Sequence, residues 1–223
     1  MSDQSRSKSR ITRGKVFALL SGGLILGLGA TATLASWNDS EWVFGGVDST
    51  TSGVVTSTFE VQQNRGSGWG DFESSPGGAL AIVAPTTGLT PGDAAYTQVS
   101  LRTTSGSVGG NLNLLAAAAA PTPAYAPSDT GLWAALQLRV VATTGTAGTC
   151  DVNAFSPGAS YVIGTYAAGA SMGAAGSVTP RSLSASSGNQ QNYCFQLLLP
   201  TGSADSLQGE GISPVWEFRA ASV

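Results

Sequence analysis

The chain has 223 residues, 42% of them hydrophobic and only 10% charged, with a net charge of −3 and no histidine. The missing histidine excludes imidazole acid–base catalysis, a Ser-His-Asp triad and an H-E-x-x-H zinc site. The length suits one domain able to bury a sizeable core.

The chain begins with a cationic lead of Arg6, Lys8, Arg10, Arg13 and Lys15, followed by an uncharged apolar run from Val16 to Ala35. A positive region ahead of an apolar helical one is the pattern of an export signal, and its charges stay on the cytoplasmic side. Two readings of the run stand. It is long enough to remain as a membrane anchor. Against that, Gly22, Gly23, Gly27 and Gly29 weaken a permanent helix, and the small residues at its end suit signal cleavage. Cleavage is expected between Ala35 and Ser36, with a cut after Ala32 as second choice. The expected organisation is a helical signal segment over 1–35, a mature N-terminal segment over 36–53 and one domain over 54–223.

Removal of the leader takes every lysine with it and leaves five arginines against twelve acids, a net charge of −7. Such a surface lacks the clustered cations that phosphate neutralisation requires, so no nucleic-acid partner is expected. Contact with membrane is expected only through an uncleaved leader, because no basic patch remains for anionic lipid. With no lysine in the mature part, Ser-Lys and Schiff-base mechanisms fall away as well.

Directly after the expected cut, Trp37, Trp42, Val43 and Phe44 crowd a stretch that is normally polar and mobile. Either Trp42-Val43-Phe44 is the first strand of its own sheet, or it is an extended apolar segment that adds as a strand to a neighbouring subunit. The stretch is the candidate subunit contact.

Further along, period-two alternation marks strands at Thr58–Gln62, Tyr96–Arg102, Asn111–Leu114, Leu136–Val140, Tyr193–Leu197 and Val215–Arg219. Such alternation describes half-buried antiparallel strands, and clusters of Gly, Pro, Ser and Asp separate them. The expected fold is therefore all-β, a jelly-roll or immunoglobulin-like β-sandwich behind the helical signal segment. Trp69, inside the Gly-rich turn from Gly66 to Gly70, reads as a lid on the core or as an exposed contact. Trp133 and Trp216 fit core positions. Ala116–Ala120 begins like a helical turn that the following prolines end, giving a surface excursion between strands. The stretch from Gly164 to Gly188 reads as a long loop or as a smooth contact surface.

Cys150 and Cys194 are the only cysteines. In an oxidising compartment such a pair forms a disulfide, and no C-x-x-C spacing points to redox or metal chemistry. The acid pairs Asp39 with Glu41 and Asp71 with Glu73 have the spacing of Ca²⁺ or glycosidase carboxylates. They lack further ligands at a recognisable distance and read as solvated loop acids. No cofactor, no metal site and no catalytic residue is expected.

The leader's run into Ala35-Ser36-Trp37-Asn38-Asp39 resembles the signal of the TasA/camelysin group of exported bacterial proteins, in which an aromatic-Asn-Asp follows the cut. Leu89, Pro91, Gly92 and Asp93 match that group's L-x-P-G-D turn before a strand. The Tyr193-Cys194-Phe195 strand, the Leu207-Gln208-Gly209 turn and the Trp216-Glu217-Phe218 strand are similar to actinobacterial members. The resemblance implies processing by a signal peptidase of the SipW type, an extracellular or cell-surface location and a jelly-roll fold. It also implies assembly into fibres by donor-strand exchange, a homo-oligomer in which the mature N-terminus completes the next subunit's sheet. Camelysins have been classed as metallopeptidases, a label this His-free chain departs from. The expected function is thus a structural subunit of a fibre or biofilm matrix, not an enzyme. The alternatives are a monomeric binding or adhesion module for sugars or surfaces and, more remotely, a hydrolase.

Overall fold

The computed structural model describes residues 56–82, 84–85, 88–120 and 130–223. The signal segment 1–35, the cleavage pair Ala35 and Ser36, and the stretch with Trp37, Trp42, Val43 and Phe44 lie outside the described residues. The chain divides into Met1–Val55 and Thr56–Val223, and the described residues all belong to the second unit.

Strands dominate. In chain order they are β1 (Val61–Asn64), β2 (Trp69–Gly70), β3 (Ala94–Thr103), β4 (Gly110–Leu114), β5 (Ala118–Ala119), β6 (Gln137–Thr144), β7 (Tyr161–Ile163), β8 (Ala170–Ser171), β9 (Arg181–Leu183), β10 (Gln191–Leu198), β11 (Pro214–Val215) and β12 (Phe218–Ser222). Among the described residues one short α-helix, α1 (Thr130–Ala135), lies between β5 and β6. The larger sheet has the order β2-β1-β3-β10-β6-β7, with β8 also on β6; the smaller has the order β12-β4-β9, and β11 pairs β5. Each of these pairs is antiparallel.

The core lies between the two sheets, as the alternation requires. β3 contributes Val99 and Leu101, β6 Leu138 and Val140, and β10 Tyr193, Phe195 and Leu197; the smaller sheet supplies Leu112, Leu114 and Leu183. Phe195 is fully buried, which is worth roughly 1.5–3 kcal/mol relative to exposure. Its ring meets Trp216 at 4.7 Å between centroids, and Phe218 stands edge-on to Tyr193 at 4.8 Å. Trp133 and Trp216 are both partly buried against this core. The molecule is an all-β, sandwich-like domain. Gly110 is required where the small sheet begins, since a Cβ there would stand 2.5 Å from the carbonyl oxygen of Ala221 and from the Phe59 ring.

Four expectations from the sequence need correction. The strand around Tyr193–Leu197 is not half-buried: β10 is central, and it is buried on both faces from Gln191 to Leu197. Its second face carries Asn192, Cys194 and Gln196, which a two-state apolar/polar reading assigns to solvent. The stretch Val215–Arg219 is broken, with Val215 in β11 and Phe218 in β12. The break is a bulge, because three residues, Leu115 to Ala117, face two, Trp216 and Glu217, between consecutive ladders. Ala116–Ala120 is accordingly no helical turn, and Ala118 and Ala119 pair with Val215 and Pro214. Finally, Gly164–Gly188 is neither a plain loop nor a smooth surface. It holds β8 and β9, and Met172 and Leu183 are core residues at 0% and 2% exposure.

Candidate functional site

The outer face of the large sheet is braced first by covalent chemistry. Cys194, at the middle of β10, is bonded to Cys150 with a Cα–Cα distance of 5.3 Å. The bond holds residues 150–161 against the sheet, where Phe155 is buried among Tyr96, Val141 and Tyr161. Phe155 is tilted against Tyr96 and Tyr161 at centroid distances of 6.2 and 6.4 Å. Asp151 starts the short helical turn Val152–Phe155 by accepting from the N–H of Asn153 at 2.8 Å. A bond of this kind belongs to oxidising compartments, which is compatible with an extracellular protein.

Polar side chains on the same face are paired to one another. Ser100 donates to Asn192 Oδ1 at 2.6 Å, and Asn192 Nδ2 donates to the Gly145 carbonyl at 2.7 Å. Arg139 Nε donates to Gln196 Oε1 at 2.6 Å, and Gln196 Nε2 reaches the Tyr96 hydroxyl at 3.0 Å. Hydrogen bonds made in this way offset the cost of desolvating buried polar groups and favour one arrangement of them.

Leu89, Pro91, Gly92 and Asp93 form the turn that launches β3. Pro91 and Gly92 occupy the two central positions, and Gly92 has φ +103°, the backbone of a type II turn. Asp93 accepts from both the N–H and the hydroxyl of Thr90, at 2.9 and 2.6 Å. The Thr90 hydroxyl, then its N–H, hold the Asp93 carboxyl below the usual range. Gly92 N–H and the Asp93 carbonyl pair with Leu199, tying the turn to the end of β10.

The sheet edges differ in a way that bears on partners. β2 has two residues, β7 has three, and a bulge separates Val140 from Val141 where β6 meets β7, so the large sheet offers short or irregular edges. In the small sheet, side chains close the β9 edge. The Ser182 carbonyl accepts from Asn189 Nδ2 at 3.2 Å and Gln191 Nε2 at 2.9 Å, while the Ser184 N–H donates to Asn189 Oδ1 at 2.8 Å. The other edge, β12, has five residues and pairs only with β4 among the described residues. Leu115 N–H bonds to the Glu217 carbonyl and Val223 N–H to the Gly109 carbonyl. Antiparallel alternation from these two bonds turns the backbone groups of Phe218, Ala220 and Ser222 away from β4. Phe218 and Ala220 point their side chains into the core, and an ion pair between Arg219 and Glu217 at 3.0 Å lies outside it.

Trp69 is half-buried in β2, and the Arg102 guanidinium lies 4.0 Å from its ring centroid. It is therefore no lid on the core, and one of its faces is already covered. Asp71 and Glu73 sit exposed just beyond β2, while Asp39 and Glu41 lie outside the described residues. Among the described residues no group of three or more His, Cys, Asp or Glu side chains gathers in metal-binding geometry. No helix among them is long and apolar enough to cross a membrane.

No protein-family model matches the chain, and no curated protein matches it either. The fold and the surface define its class: an all-β, sandwich-like domain braced by one disulfide, with one long strand edge left unpaired among the described residues.

Proposed function

We propose that this chain is an exported structural subunit of an extracellular fibre or matrix, of the TasA/camelysin kind. In this reading the mature N-terminal segment, with Trp37, Trp42, Val43 and Phe44, adds as a strand to the β12 edge of the next copy. The observation that carries the proposal is the asymmetry of the small sheet. Its β9 edge is closed by Asn189 and Gln191, whereas β12 presents the outward backbone groups of Phe218, Ala220 and Ser222. An added strand gains a ladder of backbone hydrogen bonds, each worth about 0.5–1.5 kcal/mol net. Each large apolar side chain it buries adds roughly 1.5–3 kcal/mol. Removal of the leader by a signal peptidase of the SipW type, between Ala35 and Ser36, frees that segment.

The finer fold in this proposal is a jelly roll. The passage of the chain from the large sheet to the small one at β3–β4, and back at β9–β10, supports it.

Deletion of Ser36 to Asp48 tests assembly. Loss of large species in sedimentation with unchanged thermal unfolding is the expected result. A large fall in melting temperature, with the wild-type chain running as a monomer, would instead make Trp42-Val43-Phe44 the first strand of its own sheet.

A further inference from the structure

Five arginines remain once the leader is set aside, and four of them donate to protein acceptors. Arg65 donates to the Ala79 carbonyl, Arg139 to Gln196 and the Tyr166 carbonyl, Arg181 to the Ala142 carbonyl and Ser160, and Arg219 to Glu217. Arg102 is the exception. Its Nε is buried without a partner, and among the described residues no carboxylate or carbonyl accepts from its guanidinium. The Trp69 ring beneath it positions the cation without satisfying its donors.

Arg102 also lines an open cleft of about 310 Å³ with Gly145, Thr146, Ser187, Asn189 and Gln190. One wall is held rigidly. Ser186 and Ser187 both have left-handed backbones, φ +53° and +58°, in which non-glycine residues seldom sit. Thr103 fixes Ser187, accepting from its N–H at 3.0 Å and, through its carbonyl, from its hydroxyl at 2.7 Å, while the Ser186 N–H donates to the Ser107 carbonyl at 2.9 Å. Gln190 is oriented as well, its Nε2 donating to Asn192 Oδ1 at 2.8 Å, which leaves Oε1 as an acceptor. Thr146 is exposed, and its hydroxyl takes part in no hydrogen bond among the described residues.

We infer that this cleft binds a hydroxylated carboxylate, the chemistry of a uronic-acid sugar. The two terminal Nη groups of Arg102 match a carboxylate, with two parallel charge-assisted hydrogen bonds. Thr146 and Gln190 Oε1 meet neighbouring hydroxyls, and Gln190 Oε1, as an acceptor, disfavours a ligand that offers only anionic oxygens. The site is independent of strand addition at β12.

The test is titration of ¹⁵N-labelled protein with glucuronate, glucose and sulfate, read at the backbone amides of Thr146 and Gln190. Saturable shifts with glucuronate are expected, with glucose and sulfate each weaker by roughly tenfold or more. Arg102→Gln should reduce glucuronate affinity by about tenfold or more, and Thr146→Ala several-fold. If Arg102→Gln misfolds, Thr146→Ala, an exposed loop change, decides alone. A trimer of galacturonate distinguishes sources: tighter binding than the monomer assigns the site to a polymer, the reverse to a free sugar acid, and both support it. Equal binding of glucose or sulfate, or unchanged glucuronate binding in the folded variants, overturns the inference.

Discussion

Asn189 Nδ2 donates to the carbonyl of Ser182 at 3.2 Å and so occupies backbone that would otherwise invite another strand. The same side chain accepts from Ser184, which makes Asn189 a clamp along the β9 edge. Asn189→Ala removes both bonds, and about 1 kcal/mol of stability is expected to go with each, measured by denaturant unfolding. A variant as stable as wild type would mean that water replaces the clamp at no loss.

The Cys150–Cys194 bond closes a loop across a sequence separation of 44. In the chain-entropy treatment, constraining such a loop in the unfolded chain is worth about 4 kcal/mol. Replacing both cysteines by alanine should lower stability by that order and loosen residues 150–161, seen as faster amide exchange there. Unaltered exchange around Phe155 would show that its aromatic packing holds the segment without the bond.

Burial of Tyr193 in the core pushes its phenol up to about 12, with the Arg181 charge opposing the rise only in part. The phenol of an unfolded chain ionises near pH 10, so above that pH the unfolded state loses a proton that the folded state keeps. This contribution is whole below about pH 10 and is lost as the pH climbs towards 12. Tyr193→Phe should flatten that part of the stability profile. If wild type and variant lose stability in parallel over this range, other groups control the alkaline limb.

Asp93 shifts in the opposite sense, because the Thr90 hydroxyl and N–H favour its ionised form. Its contribution is present above the ordinary value of 3.8 and disappears as the pH falls through the lower folded value. Asp93→Ala is expected to melt below wild type at neutral pH, with the gap narrowing under strong acid. A gap that stays constant down to the acid limit would assign the loss to backbone geometry.

The alternation along Tyr96–Arg102, Asn111–Leu114 and Leu136–Val140 marked β3, β4 and β6 well, because each keeps one apolar face towards a single core. β10 misled for a physical reason: Asn192 and Gln196 are buried as members of hydrogen-bond networks, and a polar letter cannot announce its partner. The bulge at Trp216 and Glu217 was equally hidden, since it arises from the count of residues on the opposite strand. The disulfide pair was legible because two cysteines without C-x-x-C spacing, in the expected oxidising compartment, leave one pairing. The Arg102 cleft was not. Gln62 brings β1 beside Arg102, while Thr146 and Gln190 come from loops far along the chain, and no spacing connects them.

The most direct measurement of the central claim is sedimentation velocity of Ala220→Pro beside wild type, with Ala221→Pro as control. The Ala220 N–H faces away from β4, so proline there spares the ladder yet denies an incoming strand its hydrogen bond. The Ala221 N–H faces β4, so proline at that position should lower the melting temperature. Strand addition at β12 predicts large species for wild type and monomers for Ala220→Pro, with a melting temperature close to wild type. Polymers undiminished in Ala220→Pro, or a wild-type protein that stays monomeric after leader removal, would contradict it.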